Sequence, residues 1–210
     1  MKRIITIERQ FGSGGSVIGR RVSEILGINY YNREILERTA QKCGISAEKL
    51  QNAEENVPTS FLYSLMLASH PTSSFEDNLP LSDKVFIIES NIIKEIASQE
   101  DSFVLVGRCG KYILEEYDCF SVFIYGDRKK RVQRTIDDYN ADPKKAESIL
   151  KKADKRRESF YNTNSDGLWQ DKEQYHLCLN STELGDELCA EIIVKACQNY
   201  FDNLKEKAKK

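Results

Sequence analysis

The chain opens with "IITIERQFGSGGSVIGRRVSEIL", an apolar run, a glycine cluster, and then apolar residues at helical spacing. No other stretch constrains the fold as strongly. The β-branched run Ile4 to Ile7 reads as a strand and Ser16 to Leu26 as an amphipathic helix. A strand joined to a helix through a glycine turn brings backbone N–H groups and the positive end of the helix to one point, which suits an anion. The same residues also make an ordinary tight turn, so the rest of the chain has to decide between the two.

The alternation continues. Further strand candidates are "INYY" (Ile28 to Tyr31), "FVLV" (Phe103 to Val106), "CFSVFIY" (Cys119 to Tyr125) and "YHLCLN" (Tyr175 to Asn180). Helical patterns run over Arg33 to Cys43, Leu81 to Ser98, Arg128 to Tyr139, Pro143 to Tyr161 and Leu184 to Leu204. Near-continuous apolar strands alternating with helices predict a parallel sheet covered on both faces, a three-layer α/β/α fold. A chain of 210 residues fits one domain. Two regions depart from the alternation. Residues 45–80 are polar and hold Pro58, Pro71 and Pro80, as expected of an insertion with a function of its own. Residues 128–169 form a charged, arginine-rich helical pair.

Composition excludes several classes. With 31 Lys+Arg against 33 Asp+Glu the net charge is -2, so nothing global favours nucleic acid or an anionic membrane, and any basic site must be local. No apolar stretch is long enough to span a bilayer or to act as a signal peptide, and a cytoplasmic address is expected. The six cysteines lack CxxC or metal-ligand spacing and are expected to be reduced core thiols. With His70 and His176 the sole histidines, a histidine-based zinc site is not expected.

Against the phosphate-loop pattern GxxxxGK[ST], the best register is Arg9 to Ser16, "RQFGSGGS". It keeps Gly14 and Ser16 but puts Arg9 at the first glycine and Gly15 at the lysine. The backbone cradle and a hydroxyl suited to Mg²⁺ survive, whereas the cation that reaches the β- and γ-phosphates must come from elsewhere. Arg9, Arg20 and Arg21 are the nearby candidates.

The opening segment through "YYNREIL" resembles the start of the cytidylate kinase-like family, whose loop has a Gly-Ser-Gly-Gly core and no lysine. "SFLYSL" (Ser60 to Leu65), "VLVGRCGKYIL" (Val104 to Leu114), "DKRRESFY" (Asp154 to Tyr161) and "YHLCLNST" (Tyr175 to Thr182) continue the resemblance over almost the whole chain. It implies a P-loop NTPase-like fold of nucleoside monophosphate kinase type: a five-stranded parallel sheet, a helical acceptor-binding insertion at 45–80 and a helical lid at 128–169. The implied activity moves the γ-phosphoryl of ATP, with Mg²⁺, to a nucleoside monophosphate such as CMP or dCMP. An alternative is a nucleotide- or phospholigand-binding protein that keeps the fold without transfer. A kinase of another small acceptor is a third reading.

The resemblance assigns residues as well. Gly12, Ser13, Gly14, Gly15 and Ser16 would cradle the donor phosphates, with Ser16 near Mg²⁺. Arg33, at the start of a helix, and Arg108, at the end of a strand, would hold the acceptor; an ion pair with a carboxylate is the alternative for Arg108. Arg131 and Arg157 would close from the lid and neutralise charge in transfer, the other reading being a solvated face paired with acids such as Asp154. Glu54, Glu55, Ser60, Tyr63 and Ser64 fall in the insertion. Three positions depart from the family's pattern: Asn32 and His176 replace aspartates, and Val106 stands where an acid would serve Mg²⁺. Asn32 is still expected to cap its helix, and Asn180 and Ser181 serve either recognition or turn chemistry. The expected partners are small-molecule nucleotides, with neither nucleic acid nor membrane.

Overall fold

A computed structural model describes residues 3–44, 46 and 81–207. The opening run becomes β1 (Arg3–Arg9) and passes through the glycine turn into α1 (Gly15–Leu26). There follow β2 (Asn29–Tyr31), α2 (Arg33–Lys42), α3 (Leu81–Gln99), β3 (Ser102–Val106), the short α4 (Gly110–Ile113) and β4 (Cys119–Tyr125). The chain then forms α5 (Arg128–Tyr139), α6 (Ala146–Asn164), a 3-10 turn at Lys172–Gln174, β5 (Leu177–Asn180), the one-turn α7 (Ser181–Leu184) and α8 (Asp186–Lys207).

The strands make one five-stranded sheet in the order β2-β3-β1-β4-β5. Every pairing is parallel, with Ile7 opposite both Val106 and Val122 at the centre. The central strands are apolar on both faces because helices cover both. Ile5, Ile7, Val104, Val106, Val122 and Ile124 are all fully buried and pack with Ile18 and Val22 of α1 and Ile193 and Cys197 of α8. Burying each such side chain stabilises the fold by roughly 1.5–3 kcal/mol. The connection from β1 runs toward β2 and that from β4 runs the other way, toward β5. The crevice at the carboxyl ends of β1 and β4 is therefore where an open α/β sheet takes a ligand.

The described residues divide into two compact units: the sheet with its covering helices, through residue 31 and from residue 100 on, and a second unit within Asn32–Gln99. The sequence pointed to one domain with an insertion at 45–80. The observed division is wider, and the insertion, with Glu54, Glu55, Ser60, Tyr63 and Ser64, lies outside the described residues. In the second unit α2 buries Ile35, Leu36, Thr39 and Ala40, and α3 buries Val85, Ile92, Ile93, Ile96 and Ala97.

Local chemistry accounts for the boundaries that differ from expectation. The helix expected from Pro143 starts at Ala146, because Asp142 first closes a turn by accepting from the N–H of Lys144 and Lys145. The last strand begins at Leu177, and just before it the Tyr175 hydroxyl donates to the Trp169 carbonyl at 2.6 Å. Gly185, at φ 77, separates α7 from α8 where one helix was expected. Asn32 does not cap α2 through its side chain; its own N–H instead donates to the Glu34 carboxylate at 3.1 Å.

The cysteines are all free and, apart from the half-buried Cys178, buried. Burial pushes the Cys119 thiol up to about 12 and those of Cys189 and Cys197 up to about 11, which keeps them protonated and inert. Among the described residues no helix is long and apolar enough to cross a membrane.

Candidate functional site

The glycine loop lies at the carboxyl end of β1, in the crevice the strand order creates. Gly12 and Gly14 sit at φ 70 and φ 77, a left-handed conformation open to glycine at little cost. Neither has room for a side chain. A Cβ on Gly12 would stand 2.6 Å from the Arg131 carbonyl oxygen, and one on Gly14 would stand 2.6 Å from Asp186 Oδ1. Gly14 is also the N-cap of α1, so no side chain caps that helix, and its first turn carries no acid. The positive end of α1 is thus left for an external anion.

Ser13 and Ser181 brace the loop from below. The Ser13 hydroxyl donates to the Gln10 carbonyl at 2.8 Å and reaches that of Ile124 at 3.2 Å. The Ser181 hydroxyl donates to the Ser13 carbonyl at 2.7 Å. Ser13 therefore offers a ligand its backbone alone, and Ser181, with Asn180 capping α7 by accepting from the Thr182 N–H, serves turn chemistry. Ser16 lies half-buried on the first turn of α1, and its carbonyl accepts from the Tyr30 hydroxyl at 3.0 Å.

The arginine-rich pair α5 and α6 packs directly on this loop. Arg131 is buried and turned inward: Nε donates to the Gly126 carbonyl at 3.1 Å, and Nη1 to the Phe11 carbonyl at 3.0 Å and to Asp154 at 2.6 Å. Asp154 also accepts from the Phe11 N–H at 2.7 Å. Together they clamp both polar groups of the Phe11 peptide at the start of the loop. Arg157 donates to the Arg9 carbonyl at 2.9 Å and lies over the Phe11 ring. Its guanidinium is pulled down to about 9, chiefly by burial and then by the charge of Arg9. Arg134, absent from the expected set, forks Asp186 at 2.9 and 2.6 Å directly above Gly14. Arg128 pairs with Glu147 at an exposed position. Gly12, Lys130, Arg131, Arg134, Ser181 and Thr182 line a cleft of about 160 Å³ beside the loop.

Arg108 stands at the carboxyl end of β3, as expected, in a left-handed conformation at φ 63. Its charge is felt by Arg9, whose own protonation burial already disfavours. Arg33 begins α2 in the second unit, exposed, with Nε 3.2 Å from Glu37. Of the three candidates for the missing cation, Arg21 is held by Glu187 at 2.7 Å and Arg20 lies over the Tyr30 ring. Arg9 differs from both. Its stem packs against Gly15 and its guanidinium against Gly107.

Beneath these cations lies a carboxyl that the sequence reading passed over. Glu8 is buried at the end of β1 and accepts from Trp169 Nε1 at 3.3 Å. Burial pushes its carboxyl above the usual range, opposed by the charge of Arg9 and the bond from Trp169. The signal available was "ITIER", two charged residues closing an otherwise apolar strand. Among the described residues no group of three or more His, Cys, Asp or Glu side chains is placed to hold a metal ion. Mg²⁺ that arrives with a nucleotide needs no such group, since phosphate oxygens and water fill most of its shell.

The profile of the cytidylate kinase-like family matches residues 4–183. A search of curated proteins returned no match. Among solved structures, an uncharacterized protein from Eubacterium ventriosum is 25% identical, with a TM-score of 0.70 over 94% of this chain and 99% of that one. Shikimate kinase from Acinetobacter baumannii, in complex with shikimate, is 15% identical, with a TM-score of 0.53 over 95% of both chains. A gluconokinase from Sinorhizobium meliloti is 13% identical, with a TM-score of 0.56 over 97% of this chain and 95% of that one. The fold is that of the P-loop kinases.

Proposed function

The chain belongs to the cytidylate kinase-like family, and from that premise we propose that it transfers the γ-phosphoryl of ATP to a nucleoside monophosphate such as CMP or dCMP. The observation that carries this reading is the uncapped glycine loop at the sheet's crevice, with the Arg9 stem packed against Gly15, its guanidinium against Gly107, and Arg157 bonded to the Arg9 carbonyl. Cations gathered around an uncapped helix end suit a polyphosphate.

Phosphoryl transfer asks a protein for positioning and charge neutralisation more than for covalent chemistry. The N–H groups of Gly12 to Ser16 hold the donor's phosphates. The Ser16 hydroxyl would hold Mg²⁺ brought with the nucleotide, and that ion would supply neutralisation of the phosphate charge. Arg108 holds the acceptor's phosphate, and Arg157 neutralises charge from α6. Arg131, bonded to Asp154 and to the Phe11 carbonyl, acts here by fixing the loop. An oxygen of the acceptor's phosphate attacks the γ-phosphorus as the bond to the β,γ-bridging oxygen breaks. ADP leaves with the electron pair.

The test is product formation from ATP and Mg²⁺ with a panel of nucleoside monophosphates. Shikimate and gluconate, after which two fold neighbours are named, are added as acceptors. Preferential conversion of CMP or dCMP is expected, against a control without acceptor. Conversion of another panel member moves the activity to that acceptor. Nucleotide binding with no turnover on any of them overturns transfer to these acceptors and favours either an acceptor outside the panel or a nucleotide sensor.

A further inference from the structure

We propose that Arg9 supplies the cation a phosphate-binding loop ordinarily takes from a lysine at position 15, its guanidinium reaching the transferring phosphate from the end of β1. The inference rests on the phosphotransferase reading above and names the group that replaces the lysine. Arg9 occupies the first-glycine place of the GxxxxGK[ST] register and Gly15 the lysine place. In the folded chain these two departures meet. A Cβ on Gly15 would stand 2.5 Å from Arg9 Cβ and 2.8 Å from Arg9 Cγ. Real Cβ atoms do not approach backbone-anchored carbons so closely, so the arginine stem and a side chain at position 15 exclude each other. A glycine at 15 is what lets the arginine pass.

The far end is accommodated in the same way. The guanidinium lies where a Cβ on Gly107 would fall, and Gly107, at φ 78, opens the turn after β3. Arg9 thus spans from the carboxyl end of β1, past the first turn of α1, to the carboxyl end of β3. Its Nε is buried and meets no hydrogen-bond acceptor among the described residues. The other arginines around the loop are differently engaged. Arg131 is bonded to Asp154, Arg134 to Asp186, and Arg21 to Glu187. As the γ-phosphorus changes partners, negative charge collects on the bridging oxygen that departs with ADP. A guanidinium held at the crevice can stabilise that charge as a lysine ammonium does, with two parallel N–H donors in place of one point charge.

The test measures binding of inorganic tripolyphosphate and of ATP, with turnover on the best acceptor, for the parent chain, Arg9→Ala, Gly15→Lys and the double variant Arg9→Gly/Gly15→Lys. Arg9→Ala is expected to weaken tripolyphosphate binding at least about tenfold, the loss of a charged hydrogen bond. Gly15→Lys alone is expected to bind as poorly, since the arginine stem fills the space. The double variant, which completes the lysine-bearing pattern, is expected to recover binding to within about tenfold of the parent. Unchanged binding in Arg9→Ala overturns the proposal while leaving the kinase reading intact, because the parent still turns over. A parent that binds tripolyphosphate through Arg9 but transfers nothing removes the kinase reading and keeps the arginine's role. A parent that binds neither ligand overturns both. Should Arg9→Ala fail to fold, the double variant decides: recovery supports the proposal, and loss of binding by a folded double variant sinks it.

Discussion

Asp154 does two jobs at one point, and its cost of removal follows from that. One oxygen accepts the Phe11 N–H and the other pairs with Arg131 at 2.6 Å, with side-chain exposures of 8% for the arginine and 16% for the aspartate. Removing one partner of such a pair leaves a buried charge without compensation, a loss of about 3–5 kcal/mol, whereas exposed pairs contribute about 1 kcal/mol or less. Asp154→Ala is therefore expected to lower unfolding free energy by roughly 3 kcal/mol. Asp154→Asn, which keeps an acceptor for Phe11, should lose less. Urea titration of both variants measures the difference. A loss near the surface-pair value for Asp154→Ala would show that the loop holds its shape without the clamp. The same comparison separates two readings of Arg131, because a residue that fixes the loop affects stability when its partner goes, and a residue that meets only ligand does not.

At the level of elements, β4 and β5 are tied together by a histidine whose charge state matters. His176 Nδ1 accepts from the Ser121 N–H at 3.0 Å and lies 2.9 Å from the Ser121 hydroxyl, and the ring stacks on Phe120 and contacts Tyr200. Burial, and then the charge of Lys111, lower its proton affinity below the usual 6.5. A nitrogen that accepts a backbone N–H cannot also hold a proton, so the neutral ring is the native one. The unfolded chain binds the proton more readily. The stability from this contact is therefore full above pH about 6.5 and is lost as pH falls through the lower, folded value. Melting temperatures across this range should fall for the parent more steeply than for His176→Asn; parallel curves would remove the histidine from the acid response. This contact also marks the limit of what the sequence disclosed. Apolar strands and helical periodicity located all five strands, and the glycine cluster located the loop, because burial on both faces and left-handed turns leave local signatures. Arg134 against Asp186 and Glu8 under Trp169 join residues far apart in the chain, and no spacing rule reports them, whereas Arg131 paired with Asp154 is one of the two readings the charged helices allow. Arg33 and Arg108 were legible as helix-start and strand-end cations, since position along one element is enough for that.

The whole molecule offers a way to watch its two compact units separately. Its single tryptophan, Trp169, is fully buried in the sheet unit, edge-on to Phe123 at 5.4 Å and bonded to Glu8. Its emission reports that unit alone, whereas far-ultraviolet circular dichroism also counts α2 and α3. The sheet unit rests on a core of fully buried aliphatic side chains from strands and helices on both faces. The second unit is smaller, and a smaller unit buries less apolar surface to set against the entropy of folding. The second unit should therefore unfold first. In a urea titration the dichroism is expected to begin falling before the tryptophan emission shifts, giving two transitions that do not coincide. Ile93→Ala, which opens a cavity among the fully buried side chains of α3, should move the earlier transition to lower denaturant and leave the later one in place. Coincident transitions in the parent chain would instead mean that the two units unfold as one cooperative structure.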